Sequence, residues 1–274
     1  MRSTWGVALA AALGSTSAKA ADDWIDDLVT HSRFVLGAAL QNHPEYSGSD
    51  RRTTSLVPVL AYEYGWLRIS ASSAGAILGF GQDARGPGAS AAFIDRSDLK
   101  FGVGLRIDSG RKSSDSIDLA GFEDIKRSVR GRIYASYAPT DRWTISGNVS
   151  QDLLNRRGGA LASTDLGYRL FLTPTTQASF GVGASWADAT RMRSYYGVSD
   201  VAAARSGLPV FRPDAGLLDL HAGAGLTTAF TPRWIGFANV GAGRLISDAA
   251  ASPLTRQRSS ASVAVGLAYR CCTP

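Results

Sequence analysis

The sequence has little of several features that define other classes of protein. Its 274 residues include two cysteines, too few for the disulfide framework of a small secreted domain. Charged residues make up 19% of the chain and hydrophobic residues 45%, which excludes an intrinsically disordered protein. The formal net charge is +6, but the 29 basic residues are scattered and nearly balanced by 23 acidic ones. A nucleic-acid partner is therefore not expected.

Long hydrophobic runs are also missing after the N-terminus, where a spanning helix would need about 18 apolar residues. The N-terminus itself has the order of a secretory signal. It begins with the basic Arg2, continues with an apolar stretch over 5–14, and reaches a small-x-small site at Ala18–Ala20. We expect cleavage near Ala20 and an exported mature chain without a transmembrane helix.

The mature chain alternates with a period of two residues. On the segment 142–151, Trp143, Ile145 and Val149 alternate with polar residues such as Thr144. Successive side chains of a strand point to opposite faces, so each such segment has one apolar and one polar or small face. The pattern predicts strands near 33–41, 54–63, 66–71, 75–81, 99–108, 129–138, 142–151, 160–172, 177–186, 216–230, 233–244 and 258–270.

The connections between these segments alternate in length. Short turns are predicted at 138–141, 173–176 and 231–233, and longer polar loops at 109–128, 152–159, 187–215 and 245–257. Short turns at one end and long loops at the other are typical of outer-membrane barrels. The stretch 82–98 is an exception, because it is long where a short turn is expected. Either a hairpin lies within it, or the two short strands predicted before it are misassigned.

Two architectures fit this pattern, a soluble β-sandwich or lipocalin-like barrel and a membrane barrel whose apolar face meets lipid. Aromatic residues at strand ends, such as Tyr137 and Trp143, favour the membrane barrel. We predict an all-β protein with a signal peptide at 1–20, a periplasmic lead-in at 21–32 and an antiparallel transmembrane β-barrel of about twelve strands at 33–274. The residues predicted to face the lumen are Arg106, Arg130, Arg132, Arg169, Asp219 and His221.

Candidate chemistry is sparse. His221 has Asp219 two residues earlier on the same strand face, but no serine can be assigned as a nucleophile, so we do not expect an enzyme. The only cysteines, Cys271 and Cys272, are adjacent and lack further ligands, so no metal site is predicted. Glycine pairs such as Gly102 and Gly104 lie within alternating strands, not at a strand-to-helix turn, and predict no nucleotide cofactor.

Four separated segments carry a more specific pattern. They contain Pro44, Tyr46, Gly48 and Ser49; then Trp186, Asp188, Tyr195, Tyr196 and Gly197; then Ser206, Gly207, Leu208 and Pro209; and finally Asp248, Ser252 and Pro253. In order and spacing they resemble the MipA/OmpV family of outer-membrane proteins, named after an MltA-interacting protein. The resemblance covers nearly the whole mature chain.

The resemblance implies an outer-membrane barrel of a Gram-negative bacterium, in contact with outer-membrane lipid and lipopolysaccharide. It also implies a structural role, as a scaffold that joins a lytic transglycosylase to a penicillin-binding protein in peptidoglycan remodelling. Other family members are linked to adhesion or to the passage of small solutes. A surface adhesin and a narrow channel for small polar solutes therefore stay open as alternatives.

The C-terminal end departs from the family pattern. The apolar alternation runs through Leu267 and Tyr269, and Cys271 then occupies the position of the usual final aromatic residue. Because the alternation is intact, we still expect a strand there.

Overall fold

The computed structural model describes residues 34–64, 67–72 and 87–271. These residues form twelve antiparallel strands in a closed barrel, in which each strand pairs with its sequence neighbours and β1 pairs with β12. The strands are β1 (Phe34–Pro44), β2 (Arg52–Tyr64), β3 (Leu67–Ser72), β4 (Gly88–Asp95), β5 (Leu99–Asp108), β6 (Ser128–Tyr137), β7 (Trp143–Asp152), β8 (Ala160–Thr173), β9 (Thr176–Ala187), β10 (Gly216–Ala229), β11 (Trp234–Leu245) and β12 (Ser259–Cys271).

The outer wall of the barrel is apolar. Leu40 and Leu56 are cross-strand partners on β1 and β2 and are 56% and 74% exposed, whereas Ala39 and Val59, in the opposite phase, are 2% and 0% exposed. Such a band is the lipid-facing surface of a membrane barrel. It continues round the wall with Leu36, Leu105, Ile133, Ile145, Val149, Leu166, Val182, Leu220, Val240, Val263, Val265 and Leu267. Among the described residues, no helix is long and apolar enough to cross a membrane.

The connections alternate in length, as predicted. The short ones within the described residues, at the periplasmic end of a barrel of this type, are 96–98, 138–142, 174–175 and 230–233. The long ones within the described residues, at the outer end, are 45–51, 109–127, 153–159, 188–215 and 246–258. The predicted fold of about twelve strands with short periplasmic turns and long outer loops is confirmed.

One strand prediction was wrong. The sequence favours a connection over 82–98, but β4 lies within it at Gly88–Asp95 and pairs with β3 and β5. Only small residues occupy 88–92, so the alternation of large apolar and polar side chains that marks the other strands is missing there. The strand predicted at 75–81, the signal peptide at 1–20 and the lead-in at 21–32 lie outside the described residues.

The barrel closes at the end where the sequence departs from the family pattern. β12 continues to Cys271, which is in register with Phe34 of β1. Cys271 is disulfide-bonded. The closing ladder therefore includes the residue that replaces the usual final aromatic.

Candidate functional site

Within the described residues, three short α-helices form in the long outer connections. They are α1 (Ala189–Tyr196), α2 (Asp200–Ser206) and α3 (Ser247–Ala251). Asp188 starts α1 by accepting a hydrogen bond from Arg191 N (2.8 Å), and Ser199 starts α2 in the same way. Gly207 ends α2 in the left-handed region, at φ +73°. We call the connections 45–51, 109–127, 188–215 and 246–258 together the outer cap.

The outer cap has an apolar core to which all four of its connections contribute. The core consists of the buried residues Tyr46, Leu119, Phe122, Val198, Ala202 and Leu254. Three of the connections follow β1, β5 and β9, which are four strands apart on a ring of twelve. Loops that start a third of the ring apart can share one core only by converging over the barrel axis. The outer cap therefore covers the mouth.

A second apolar cluster joins the outer cap to the inner wall. Met192 and Tyr196 of α1 and Ala249 of α3 pack against the strand ends. The strand residues of this cluster are Leu161 of β8, Ala187 of β9, Leu218 of β10 and Leu245 of β11. The two helices are thus held on the inner side of β8–β11.

The segments that carry the family resemblance meet in the outer cap. Tyr46 donates to Leu254 O (3.0 Å), and Tyr196 donates to Ser47 Oγ (2.8 Å). The carbonyl of Tyr196 also accepts from Ser252 Oγ (2.5 Å). Burial raises the pKa of both Tyr46 and Tyr196 to about 12, and for Tyr46 the nearby Asp118 adds to the effect. Three of the four segments therefore hydrogen-bond to one another through neutral phenols and hydroxyls.

Other residues of these segments set the backbone of the outer cap. Gly48 has a φ of +99°, which favours glycine, and Gly197 ends α1 by donating to Arg193 O (3.1 Å). Three further residues make hydrogen bonds to nearby backbone: the buried Ser49 accepts from Arg51 N, Ser206 donates to Ala202 O, and Asp248 accepts from Asp214 N. Leu208 packs on the core of the outer cap. The prolines are Pro44, the last residue of β1, the exposed Pro209 and the half-buried Pro253. Trp186 lies apart from the outer cap, exposed on the outer wall.

Arg111 is a buried residue of the outer cap that sequence reasoning missed. It looks like ordinary loop charge but is only 7% exposed, and it donates to Tyr195 O (2.7 Å) and Ser194 O (3.4 Å) of α1. Its guanidinium also lies 5.9 Å from the Phe122 ring. Burial lowers the pKa of Arg111. Arg111 thereby ties the β5–β6 connection to the β9–β10 connection.

An arginine–carboxylate cluster lies beneath this contact. Asp108, the last residue of β5, is 3.6 Å from Arg130 of β6 and 3.5 Å from Arg191 of α1. The phenol of Tyr195 donates to the same carboxylate (3.4 Å). Arg130 further donates to Gly158 O (2.9 Å). Helix α1 therefore reaches from β9 across the mouth to the inner face of β5 and β6.

The residues predicted to face the lumen lie in the inward phase of their strands. Arg106 alternates with the exposed Leu105 on β5 and is the cross-strand partner of Arg130. Arg132 lies two residues further along β6, with its guanidinium 5.5 Å from the Tyr134 ring. On β8, Arg169 shares the phase of Asp165 and pairs in register with Ser179. Apart from Arg169 on β8, the predicted residues thus form an arginine group on β5 and β6 and a histidine group on β10.

His221 lies between two carboxylates on the inner face. Its Nδ1 is 2.9 Å from Asp219 Oδ1, and its Nε2 is 2.8 Å from Asp165 Oδ1 on β8. Ionised carboxylates only accept hydrogen bonds, so a doubly protonated imidazole at this position can donate to both. Gly183 on β9 stands between the two strands, in register with both Asp165 and His221. The Asp165 contact could not be predicted without the strand register.

Two periplasmic turns share one arrangement. In 138–142 and 230–233, Thr140 and Thr231 accept through Oγ1 from the backbone N of the tryptophans that begin β7 and β11 (3.2 and 3.0 Å). These tryptophans pack on tyrosines of the next strand, Trp143 on Tyr168 at 4.8 Å and Trp234 on Tyr269 at 5.2 Å between ring centroids. The residue before each tryptophan is an exposed arginine, Arg142 or Arg233. The turns therefore present two arginines from fixed positions.

The chain is similar to a family of proteins and to several solved structures. Among solved structures, the chain is similar to a KdgM porin, with a TM-score of 0.44 and 10% identity over 87% of this chain and 99% of that one. It is also similar to a NanC porin, with a TM-score of 0.44 and 9% identity over 86% and 100% of the two chains. No curated protein matches the sequence. The sequence model of MipA, the MltA-interacting protein, matches residues 36–271. The chain is an outer-membrane barrel that belongs to the MipA family.

Proposed function

We propose that the protein is a non-catalytic structural component of the outer membrane that binds a lytic transglycosylase at its periplasmic end. The observation that carries the proposal is the outer cap, because packed loops over the mouth suit a closed barrel better than an open pore. The family is named for interaction with MltA, a lytic transglycosylase. A penicillin-binding protein is the second partner of the proposed scaffold.

The non-catalytic part of this proposal rests on the histidine group. A general base needs a free ring nitrogen, and both nitrogens of His221 lie within hydrogen-bond distance of a carboxylate oxygen. The histidine of β1, His43, has its Nδ1 2.7 Å from Pro44 O. These contacts support a structural role for His221, as a cation that joins β8 to β10.

The periplasmic turns offer the contact surface. Arg142 and Arg233 are exposed, and within the described residues neither side chain has a hydrogen-bond or ion-pair partner. Their backbones are fixed by the threonine bonds and by the tryptophan–tyrosine packing. Arginines held in this way suit a partner surface that carries carboxylates.

The test is capture of a purified MltA-type transglycosylase by the folded, detergent-solubilised barrel. We expect the unaltered barrel to retain it and a variant with Arg142→Glu and Arg233→Glu to retain at least tenfold less. Lys112→Ala, which changes an exposed cation at the opposite end, is the matched control and should bind as the unaltered barrel does. A folded barrel that fails to capture the enzyme would overturn the proposal.

A narrow channel is the second candidate, because the inner face carries Arg106, Arg130 and Arg132. Bilayer recordings distinguish the two functions. Steady conductance from the unaltered barrel would favour the channel, and silent bilayers that contain folded protein would favour the structural role.

A further inference from the structure

The outer wall of β8–β11 contains a groove. Its cavity volume is about 740 Å³. Small outward side chains, Ala184, Ala222 and Ala242, leave space beside the larger Leu166 and Val182. Leu166, Val182 and Leu220 of its lining belong to the lipid-exposed band, so the groove has an open side toward the bilayer. The inner-face residues Asp165 and His221 also contribute to its lining. An apolar groove in a lipid-facing wall has the chemistry to hold an acyl chain.

A cationic pocket adjoins the outer end of this groove. Its volume is about 350 Å³, and its lining includes Arg244, Ser247, Ala250 and Arg258 but no acidic residue. Arg244 also lines the groove, so the two cavities meet at its side chain. In register, Arg244 lies between Leu220 of β10 and Ser259, the first residue of β12. The pocket therefore lies where the wall meets the outer headgroup layer.

Arg244 differs from most other arginines at the outer end, which pair with carboxylates or backbone oxygens of the protein. Arg51 and Arg256 face Asp118, Arg157 pairs with Glu123, Arg193 with Asp214 and Arg212 with Asp200. Within residues 34–64, 67–72 and 87–271, no group pairs with the guanidinium of Arg244. Arg258 donates a hydrogen bond through its Nε to Ala250 O (3.1 Å). A cation on a lipid-facing wall is costly unless an anion accompanies it.

We propose that this wall binds lipid A, the phosphorylated glycolipid of the outer leaflet. An acyl chain lies in the groove over Ala184, Ala222 and Ala242. A headgroup phosphate pairs with Arg244 and Arg258, because guanidinium forks bind phosphate oxygens in pairs. The site is separate from the periplasmic turns and does not depend on the transglycosylase.

The experiment is a titration of the full mature barrel with bisphosphorylated lipid A, read by native mass spectrometry. We expect the affinity to fall at least tenfold in Arg244→Ala with Arg258→Ala, and also in Ala242→Trp, which fills the groove. Arg157→Ala, at an outer-end arginine that already has a protein partner, is the matched control and should leave the affinity unchanged. A heat-dependent gel shift verifies that each variant is folded.

The lipid chemistry is tested with the unaltered barrel. Removing the phosphates from lipid A should weaken binding to the level of the double arginine variant. Binding that survives both the arginine and the phosphate changes would overturn the proposal. Equal affinity for phosphatidylglycerol would also overturn it, since the site would then not select the outer-leaflet glycolipid.

Discussion

The side chains of His221 on β10 and Asp165 on β8 meet across Gly183 of β9, with 2.8 Å between Nε2 and Oδ1. The contact skips one strand, which is possible only because the strand between has no side chain at that position. A Cβ at residue 183 would overlap His221 Nε2 and would lie 2.5 Å from Asp165 Oδ1. The glycine is therefore part of the histidine group.

Gly183→Ala should break this contact. We expect the free energy of unfolding to fall by about 2 kcal/mol, because a half-buried hydrogen bond to a carboxylate is lost and the backbone must shift. Urea unfolding in lipid vesicles, followed by the heat-dependent gel shift, measures the change. Gly167→Ala is the matched control on the inner face of β8, since a Cβ there would meet its nearest atom at 3.7 Å. Equal loss in both variants would contradict the role of Gly183.

His221→Ala should destabilise the barrel more than Gly183→Ala does. It leaves Asp165 and Asp219 without the cation between them, and breaking a buried ion pair from one side costs about 3–5 kcal/mol. The same urea transition measures the loss. Adding Asp165→Asn to His221→Ala should recover part of the stability, because it removes one uncompensated charge. A double variant less stable than His221→Ala would contradict this electrostatic account.

Much of the fold could be predicted because the lipid-facing and lumen-facing residues of a membrane barrel alternate along each strand. The alternation of Trp143, Ile145 and Val149 with polar residues defines β7 without any tertiary information. β4 was missed because Gly88 and the four small residues after it carry no such contrast. Periodicity predicts a strand only where inward and outward residues differ in size or polarity.

Less of the candidate site could be predicted, since it depends on contacts between loops and on strand register. Asp219 and His221 share a face at a spacing of two, so their pairing could be foreseen, but Asp165 is 56 residues away. The burial of Arg111 could not be predicted either, because it depends on the path of α1 across the mouth. Most residues that carry the family resemblance lie in the outer cap, but the sequence did not indicate that their segments contact one another.

Arg111→Ala should loosen the outer cap. The substitution leaves the carbonyls of Ser194 and Tyr195 without their donor and removes the cation over Phe122. We expect at least a tenfold faster cleavage of the outer loops by added protease and more frequent channel openings in a planar bilayer. Lys112→Ala, an exposed neighbour, should match the unaltered barrel in both measurements. An Arg111→Ala variant as resistant as Lys112→Ala would show that this tie does not hold the outer cap closed.

The outer cap should lose stability in alkaline solution. Tyr46 and Tyr196 have pKa values raised from 10.0 to about 12, mainly by burial. A raised pKa means that the folded state binds the proton more tightly, so the stabilisation is complete below pH 10.0 and is lost as the pH rises toward about 12. Each phenol contributes roughly 2–3 kcal/mol by this linkage. The protease resistance of the outer loops, measured across this range, should fall.

Tyr196→Phe separates this titration from general alkaline unfolding. Phenylalanine keeps the apolar packing against Met192 and Leu218 but has no proton to lose. The variant gives up the hydrogen bond to Ser47 Oγ, so its outer loops should be somewhat less resistant at neutral pH. It should then lose less resistance than the unaltered barrel as the pH rises, because one of the two titrating phenols is gone. Parallel losses in the two proteins would mean that another group controls the alkaline transition.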